Sequence, residues 1–335
     1  TGYMKFNKFS ATTQREMIKG LDSLNSLGMK DLILDLRGNP GGYLTAAIAM
    51  VDELLDGRRL AVYTEGRARS KKEYFTSQKG RFEVGNVVVL IDEGSASASE
   101  IVSGAIQDWD RGTVIGRRSF GKGLVQEPVQ FSDGSALRLT VSRYYTPTGR
   151  SIQKPYEEGT DAYRKEVGAR YKDGELQGDT DFEFADSLKF TTPGGKTVYG
   201  GGGIMPDIYV PIDTNGFTDY LTQISAKGVI QKFVHQYANS NEKKLKKFES
   251  ADDFVKNFEF TDKEMSDFKK RAEKEGVEFN AKQYAESKDI IEVRLKALVA
   301  RRVYRNEGYF RVIHTVDNTF VEAVNYLNNT SQAKD

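Results

Sequence analysis

The chain has 335 residues with 49 Lys and Arg against 48 Asp and Glu, a net charge of +1 that asks for neither nucleic acid nor an anionic membrane surface. A hydrophobic content of 38% suffices for ordinary globular cores, and the length suggests about two domains. The absence of cysteine removes disulfides, thiolate metal sites and cysteine nucleophiles, and leaves only His235 and His314 as imidazoles. No apolar run reaches membrane-spanning length, and an opening on Thr1 reads as a processed or truncated piece.

Residues 3–9 alternate apolar and polar, which predicts a strand. Thr13 and Glu16 have capping-box spacing ahead of a helix through Met17, Leu21 and Leu24, with Gly28 to end it. Asp31–Leu36 reads as a buried strand, and Asn39-Pro-Gly-Gly42 as a turn into an Ala-rich helix reaching about Leu55. Further strands are expected at Leu60–Thr64, Val87–Ile91, Thr113–Ile115, Leu124–Phe131 and Ala136–Tyr145, the last two joined as a hairpin through Ser132–Ser135. Residues 147–203 are rich in Gly, Glu, Lys and Thr with weak periodicity, and are expected to form an irregular arm over the core. After Pro211 the texture turns helical, at 217–238, 262–273, 280–304 and 316–328, with Thr261 and Glu264 as a second capping box. The expected division is therefore a core of 1–211 and a helical C-terminal domain of 212–335. The Lys243–Lys247 run reads as a solvated face.

Gly94-Ser-Ala-Ser-Ala-Ser-Glu-Ile101 leads into Ala105, Ile106 and Trp109 at helical spacing, which sets a serine at an electropositive helix mouth that favours a developing anion. Gly116–Lys122 matches the opening of a phosphate-binding loop. However, Gly123 stands where magnesium coordination needs Ser or Thr, and 124–131 reads as a strand rather than a helix, so nucleotide binding is rejected. Acyl transfer asks instead for a nucleophilic oxygen, a base and oxyanion amides, which Ser97, Lys122 and a Gly-rich turn could supply. A lysine base must be neutral near pH 7, and a shift from about 10.4 to about 7–8 costs roughly 3–5 kcal/mol, which burial beside apolar strands can supply. Gly121 and Gly123 would let the backbone crowd around such an amine. On spacing alone, a solvated turn lysine and a helix N-cap serine remain the plainer readings of Lys122 and Ser97.

Four ordered strings change that balance: Asp35-Leu-Arg-Gly-Asn-Pro-Gly-Gly42, Gly94–Ile101, Ser119-Phe-Gly-Lys-Gly-Leu-Val-Gln126 and Tyr199-Gly-Gly-Gly-Gly-Ile-Met-Pro-Asp207. Together they resemble the C-terminal processing peptidases, or tail-specific proteases, over roughly residues 1–211. The resemblance implies Ser97 as nucleophile, Lys122 as base and Gln126 as the residue orienting the lysine; on a strand its even offset would set it on the same face. It implies oxyanion amides at Ala98 and at either Gly41 or Gly42. Asp108 matches a position implicated in some relatives, and an aspartate late in a helix also suits a structural hydrogen bond. Ser95 and Ser99 read as turn and helix-start hydrogen-bonders, while His235 and His314 fall outside the matched strings.

The implied fold is α/β, a mixed-sheet core like the crotonase and Clp-protease ββα spiral, followed by an all-helical domain. The implied activity is a serine endopeptidase without metal or cofactor, cutting unstructured C-terminal regions of proteins in a bacterial cell envelope or periplasm. Nucleic-acid partners and stable membrane insertion are not expected, and oligomeric state is not read. Family members normally carry a PDZ domain that captures the substrate end by strand addition and can gate the site. No PDZ-like sequence is present, so weak or unregulated activity is expected of this chain. Two competing readings are a catalytically idle protease-fold scaffold and an acyl-CoA enzyme on the related crotonase fold, which would not need a serine–lysine pair.

Overall fold

The computed structural model describes residues 1–156, 159–178 and 185–332. It divides into two compact units, Thr1–Ile212 together with the chain from Glu322 onward, and Asp213–Val321.

The first unit contains, in chain order, β1 (Gly2–Lys5), α1 (Thr13–Ser26), β2 (Asp31–Asp35), α2 (Leu44–Asp52), β3 (Leu60–Gly66), β4 (Arg69–Phe75), β5 (Asn86–Ile91) and α3 (Ala98–Asp108). It continues with β6 (Thr113–Gly116), β7 (Leu124–Gln130), β8 (Ala136–Tyr145), α4 (Thr160–Lys172), β9 (Lys189–Thr191), β10 (Thr197–Tyr199) and β11 (Ile208–Tyr209). A five-stranded sheet runs in the order β1-β2-β5-β6-β11 with every pairing parallel. Its central strands are apolar without alternation, and Leu32–Asp35 and Val87–Ile91 are buried throughout, as a parallel sheet covered on both faces requires. Met17 and Leu21 of α1, Met50 and Val51 of α2, and Val102 and Ile106 of α3 pack in one cluster with those strands. A second sheet, β4-β3-β8-β7, is antiparallel throughout, so the mixed character of the core arises between sheets rather than within one.

Several elements differ from the sequence expectation for identifiable reasons. The strand expected over 3–9 stops at Lys5, and Phe9 makes only an isolated parallel bridge with Gly42. The Thr13–Glu16 box does not form, because Thr13 Oγ1 accepts from Ser10 N–H at 2.9 Å, outside the helix. Strand β4 is polar and exposed, which hides it from a hydrophobic pattern. The arm over 147–203 is not irregular throughout, since it holds α4 and the β9–β10 hairpin. Helix α4 is attached through charged side chains, so apolar periodicity cannot reveal it. The parts of that arm at 157–158 and 179–184 lie outside the described residues.

The second unit is helical: α5 (Asp219–Ala226), α6 (Val229–Ser240), α7 (Glu242–Leu245), α8 (Ala251–Asn257), α9 (Asp262–Lys274) and α10 (Ala281–Ile313), with the start of α11 (Asn318–Gln332). Gly228, at φ +65°, splits the helix expected over 217–238 into two. The Thr261–Glu264 box forms, with Glu264 N–H donating to Thr261 Oγ1 at 3.3 Å and Thr261 N–H to Glu264 Oε2 at 2.8 Å. Phe233, Phe254, Phe258 and Phe268 are buried at its centre. Arg305 interrupts α10 with φ 55° and ψ −142°, a conformation that strains any residue with a Cβ. Arg305→Gly is therefore expected to stabilise the helical unit by about 1 kcal/mol while Arg305→Ala does not, as measured by urea unfolding followed by far-UV circular dichroism.

Candidate active site

The chain leaving β5 turns through Asp92–Ser97 into α3, and the two serines of that turn and the one in the first turn of α3 have different fates. Ser95 and Ser99 are fully buried. Ser95 Oγ donates to Leu36 O at 2.9 Å, and Ser99 Oγ donates to Asn39 O at 2.9 Å, so both hydroxyls tie this turn to the 36–39 loop. Ser97 is half-buried and sits at the N-cap of α3 with φ 57° and ψ −111°. An L-residue enters that region only where its surroundings over-determine it.

Glu100 supplies that constraint. Its carboxylate is 0% exposed and accepts from Ser97 N–H at 2.7 Å, Ser119 Oγ–H at 2.5 Å, Gly121 N–H at 2.7 Å and Lys122 N–H at 2.9 Å. The amides of Ser97 and Lys122 share a single oxygen, Oε2. Burial pushes the Glu100 carboxyl above its ordinary range, and the four donors pull against that rise. On the carbonyl side, the buried Tyr144 hydroxyl lies 3.0 Å from Ser97 O and also contacts Lys122 O. Burial raises the Tyr144 phenol well above 10, so it stays a donor. Ser97 and Lys122 are thus held at their amides by one carboxylate, and their carbonyls share the single proton of one phenol. The sequence reading assigned no role to either holder. The Ser97-x-x-Glu100 spacing could have revealed Glu100 as a capping-box partner. Tyr144 arrives from β8 and leaves no local signal.

Lys122 is half-buried in the loop before β7 rather than at a helix start. Gly121 has φ +84°, and a Cβ there would lie 3.0 Å from Lys154 Cβ, so the loop needs glycine to pass. No hydrogen bond joins Lys122 Nζ to Ser97 Oγ or to Gln126 in this structure. Gln126 is exposed on β7 opposite Thr140, and Lys122 lies in the loop before β7 begins at Leu124, so the even offset of a strand does not extend to it.

The turn at 39–42 faces Ser97. A Cβ on Gly41 would lie 2.7 Å from Ser97 Cβ and 2.8 Å from Ala98 N, so the bare Cα keeps space open in front of that amide. Gly41 N–H is already donated to Asn39 Oδ1 at 2.9 Å. Gly41 O and Tyr43 N–H both bond to Phe9, which leaves Gly42 N–H directed to the other side of the short bridge. Asp35 anchors the start of this loop, accepting from Tyr3 Oη at 2.7 Å and Arg37 Nη2 at 2.8 Å. Burial alone would raise it, but Arg37 and Lys5 hold its carboxyl down to about 2. Because folding lowers that pKa, the stability it contributes is complete above about pH 4 and is lost as pH falls through about 2.

Asp108 lies at the far end of α3, roughly 15 Å along the helix from Ser97. It pairs with the fully buried Arg150 at 2.6 Å and accepts from Thr148 N–H at 2.9 Å and Thr148 Oγ1–H at 2.8 Å. The structure therefore gathers Ser97, Ala98, Gly41 and Lys122 and leaves Asp108 in a separate structural ion pair. His235 and His314 lie in the helical unit, where His314 stacks on Phe320 at 3.6 Å. Among the described residues no group of three or more His, Asp or Glu could hold a metal ion.

Residues 1–161 match the sequence profile of peptidase family S41. The S41 segment is 40% identical over 153 residues to the carboxyl-terminal-processing protease of Synechocystis, covering 46% of this chain and 35% of that protein. It is 39% identical over 153 residues to carboxy-terminal processing protease CtpA of Bacillus subtilis, covering 46% of this chain and 33% of that one. Each match thus spans about a third of the relative's length. Among solved structures, the photosystem II D1 C-terminal processing protease aligns with 35% identity and a TM-score of 0.43, over 45% of this chain and 39% of that one. Beyond the S41 segment, residues 220–305 match a family of unknown function (DUF8443).

Glu100→Gln keeps the volume but places an amide N–H₂ where four donors converge. It is expected to destabilise the first unit by about 2–4 kcal/mol, read from urea unfolding through the fluorescence of Trp109, the single tryptophan, which directly follows α3.

Proposed function

We propose that this chain is a serine endopeptidase of the C-terminal processing type, with Ser97 as nucleophile and Lys122 as base. The observation that carries the reading is the shared anchoring of those two residues on Glu100 and Tyr144, within a segment of the S41 family. Relatives named for carboxyl-terminal processing support unstructured protein C-termini as the substrate class. The bacterial sources of most of the relatives named above support a cell-envelope or periplasmic setting. No helix among the described residues is long and apolar enough to cross a membrane.

In this mechanism the Lys122 amine takes the Ser97 hydroxyl proton and the alkoxide attacks the scissile carbonyl. The oxyanion is met by Ala98 N–H, which as the first residue of α3 has no intrahelical acceptor. Gly42 N–H is the second donor, since Gly41 N–H is committed to Asn39, and Gly41 supplies the gap that the oxyanion enters. The Lys122 ammonium then protonates the leaving amine, an acyl-enzyme remains, and water activated by Lys122 releases it. Apo geometry is often looser than the reactive complex, which accommodates the missing Ser97–Lys122 hydrogen bond. Gln126 would orient the amine only by turning in from its exposed position.

That missing bond and the exposed Gln126 are the observations on the side of the second reading, an idle protease-fold scaffold that binds partner proteins. Mass-spectrometric mapping of cuts in an unfolded protein, at neutral pH with chelator present, separates the two. Cleavage by the parent chain, with Ser97→Ala and Lys122→Ala folded but silent, is the expected result. Gly41→Ala is expected to lower kcat by about a hundredfold by filling the space before Ala98 N–H. A parent chain that leaves the substrate intact would favour the scaffold.

A further inference from the structure

Every residue from Arg118 to Gly123 is tied down. Ser119 N–H donates to Ile204 O, Phe120 N–H to Ser95 O, and Lys154 N–H to Gly121 O, each at 2.9–3.0 Å. Gly123 N–H reaches Gln153 Oε1 at 2.8 Å. Glu100 and Tyr144 account for Gly121 N–H and for both ends of the Lys122 peptide. Of the other main-chain groups in this stretch, the carbonyls of Arg118 and Ser119 are taken by one side chain. Arg170 Nη2 donates to Arg118 O at 2.7 Å and Nη1 to Ser119 O at 3.3 Å, while its Nε donates to Glu175 Oε1 at 2.8 Å. Glu175 also receives Arg118 through Nε at 2.8 Å and Nη2 at 2.7 Å, which makes it a carboxylate between two guanidiniums.

Arg170 comes from α4, which presents Tyr163, Glu166 and Arg170 at three- and four-residue spacing, one face of a helix. The other two residues act on the same loop. Tyr163 packs edge-on against the Phe120 ring, and Lys154 Nζ stands 3.8 Å from the Phe120 centroid and 2.9 Å from Glu166 Oε2. This face begins after residue 161, where the match to the S41 family ends.

We propose that Arg170 is a positioning residue for the Ser97–Lys122 pair, holding from α4 the two carbonyls that set the path of the chain into Lys122. The inference rests on the reading of that pair as the reacting groups. The Arg170 side chain is only 4% exposed, so its loss leaves two carbonyls without their donor in a site that water does not readily replace. The disturbance passes directly to the pair, because Ser119 Oγ–H also donates to Glu100 Oε1, and Glu100 Oε2 holds the amides of Ser97 and Lys122. A planar fork is needed to span two successive carbonyls and a carboxylate, which a lysine ammonium reproduces only in part.

The test uses the full chain with Arg170→Ala, Arg170→Lys and, as a control on the exposed side of α4, Lys165→Ala. Two readouts are taken: kcat and KM on a fluorophore-labelled unfolded protein, and amide hydrogen exchange in the Ser97→Ala background. For Arg170→Ala we expect kcat to fall about tenfold or more with KM within about twofold. Exchange over 118–124 should rise by about tenfold or more while 213–321 stays unchanged. Arg170→Lys recovers part of both, and Lys165→Ala matches the parent. Parent-like exchange at 118–124 in Arg170→Ala overturns the proposal. So does a loss spread evenly over the first unit, which marks plain destabilisation. A parent chain that cleaves nothing refutes the protease reading instead; exchange then decides alone whether Arg170 holds the loop.

Discussion

A buried carboxylate at the mouth of a helix is the constraint on which the rest of the site depends. Glu100 is enclosed, yet its oxygens are saturated by three main-chain amides and a hydroxyl that come from two separated stretches of chain. A charge is tolerable in such a place only while its donors stay in position, because each donor withdrawn exposes an uncompensated anion to a poorly polarisable interior. The energetic penalty for disorder at Glu100 is therefore what keeps Ser97 in its strained backbone conformation. The strain at Ser97 and the burial of Glu100 are two aspects of one arrangement, in which neither is stable without the other.

The same logic recurs outward from the site. Arg150 is wholly buried and finds Asp108, Gln107 Oε1 and Tyr199 O, which binds the far end of α3 to the chain beyond β8. Arg118, Glu175 and Arg170 form a third enclosed group of charges. In the first unit, apolar packing assembles the parallel sheet and its helices, while buried charges fix where the loops at the ends of those elements lie. The helical unit follows another pattern. Its centre is aromatic, and ion pairs such as Lys246–Glu242 lie at the surface, where water screens them.

What could be read from sequence follows from that division of labour. Strands β2 and β5 were plain because parallel strands covered on both faces are apolar without interruption, and α9 was plain because its cap and its apolar face agree. The roles of Ser95 and Ser99 as turn hydrogen-bonders were also legible, since short hydroxyl side chains beside a helix start have few other uses. Glu100 was half legible through its spacing from Ser97. Tyr144, Arg170 and α4 were not, because they act on residues distant in the chain, mainly through polar contacts, and such contacts leave no period behind. Likewise, the bulge that skips Val141 of β8, opposite Val125 and Gln126, cannot be seen in a run that reads as one continuous strand.

The reach of Glu100 and Tyr144 along the chain also has a bearing on time. Ser97 acquires its backbone conformation only when Glu100 meets Gly121 and Lys122, and when Tyr144, 47 positions on, closes over its carbonyl. Contacts of that separation form after local helices and turns, since their loop-closure entropy must first be met. During synthesis, a chain that has not yet emerged through β8 carries the serine and the lysine but lacks the frame that aims them. The geometry at Ser97 and Lys122 is thus a product of tertiary folding, absent from a nascent or partly unfolded copy of this protein.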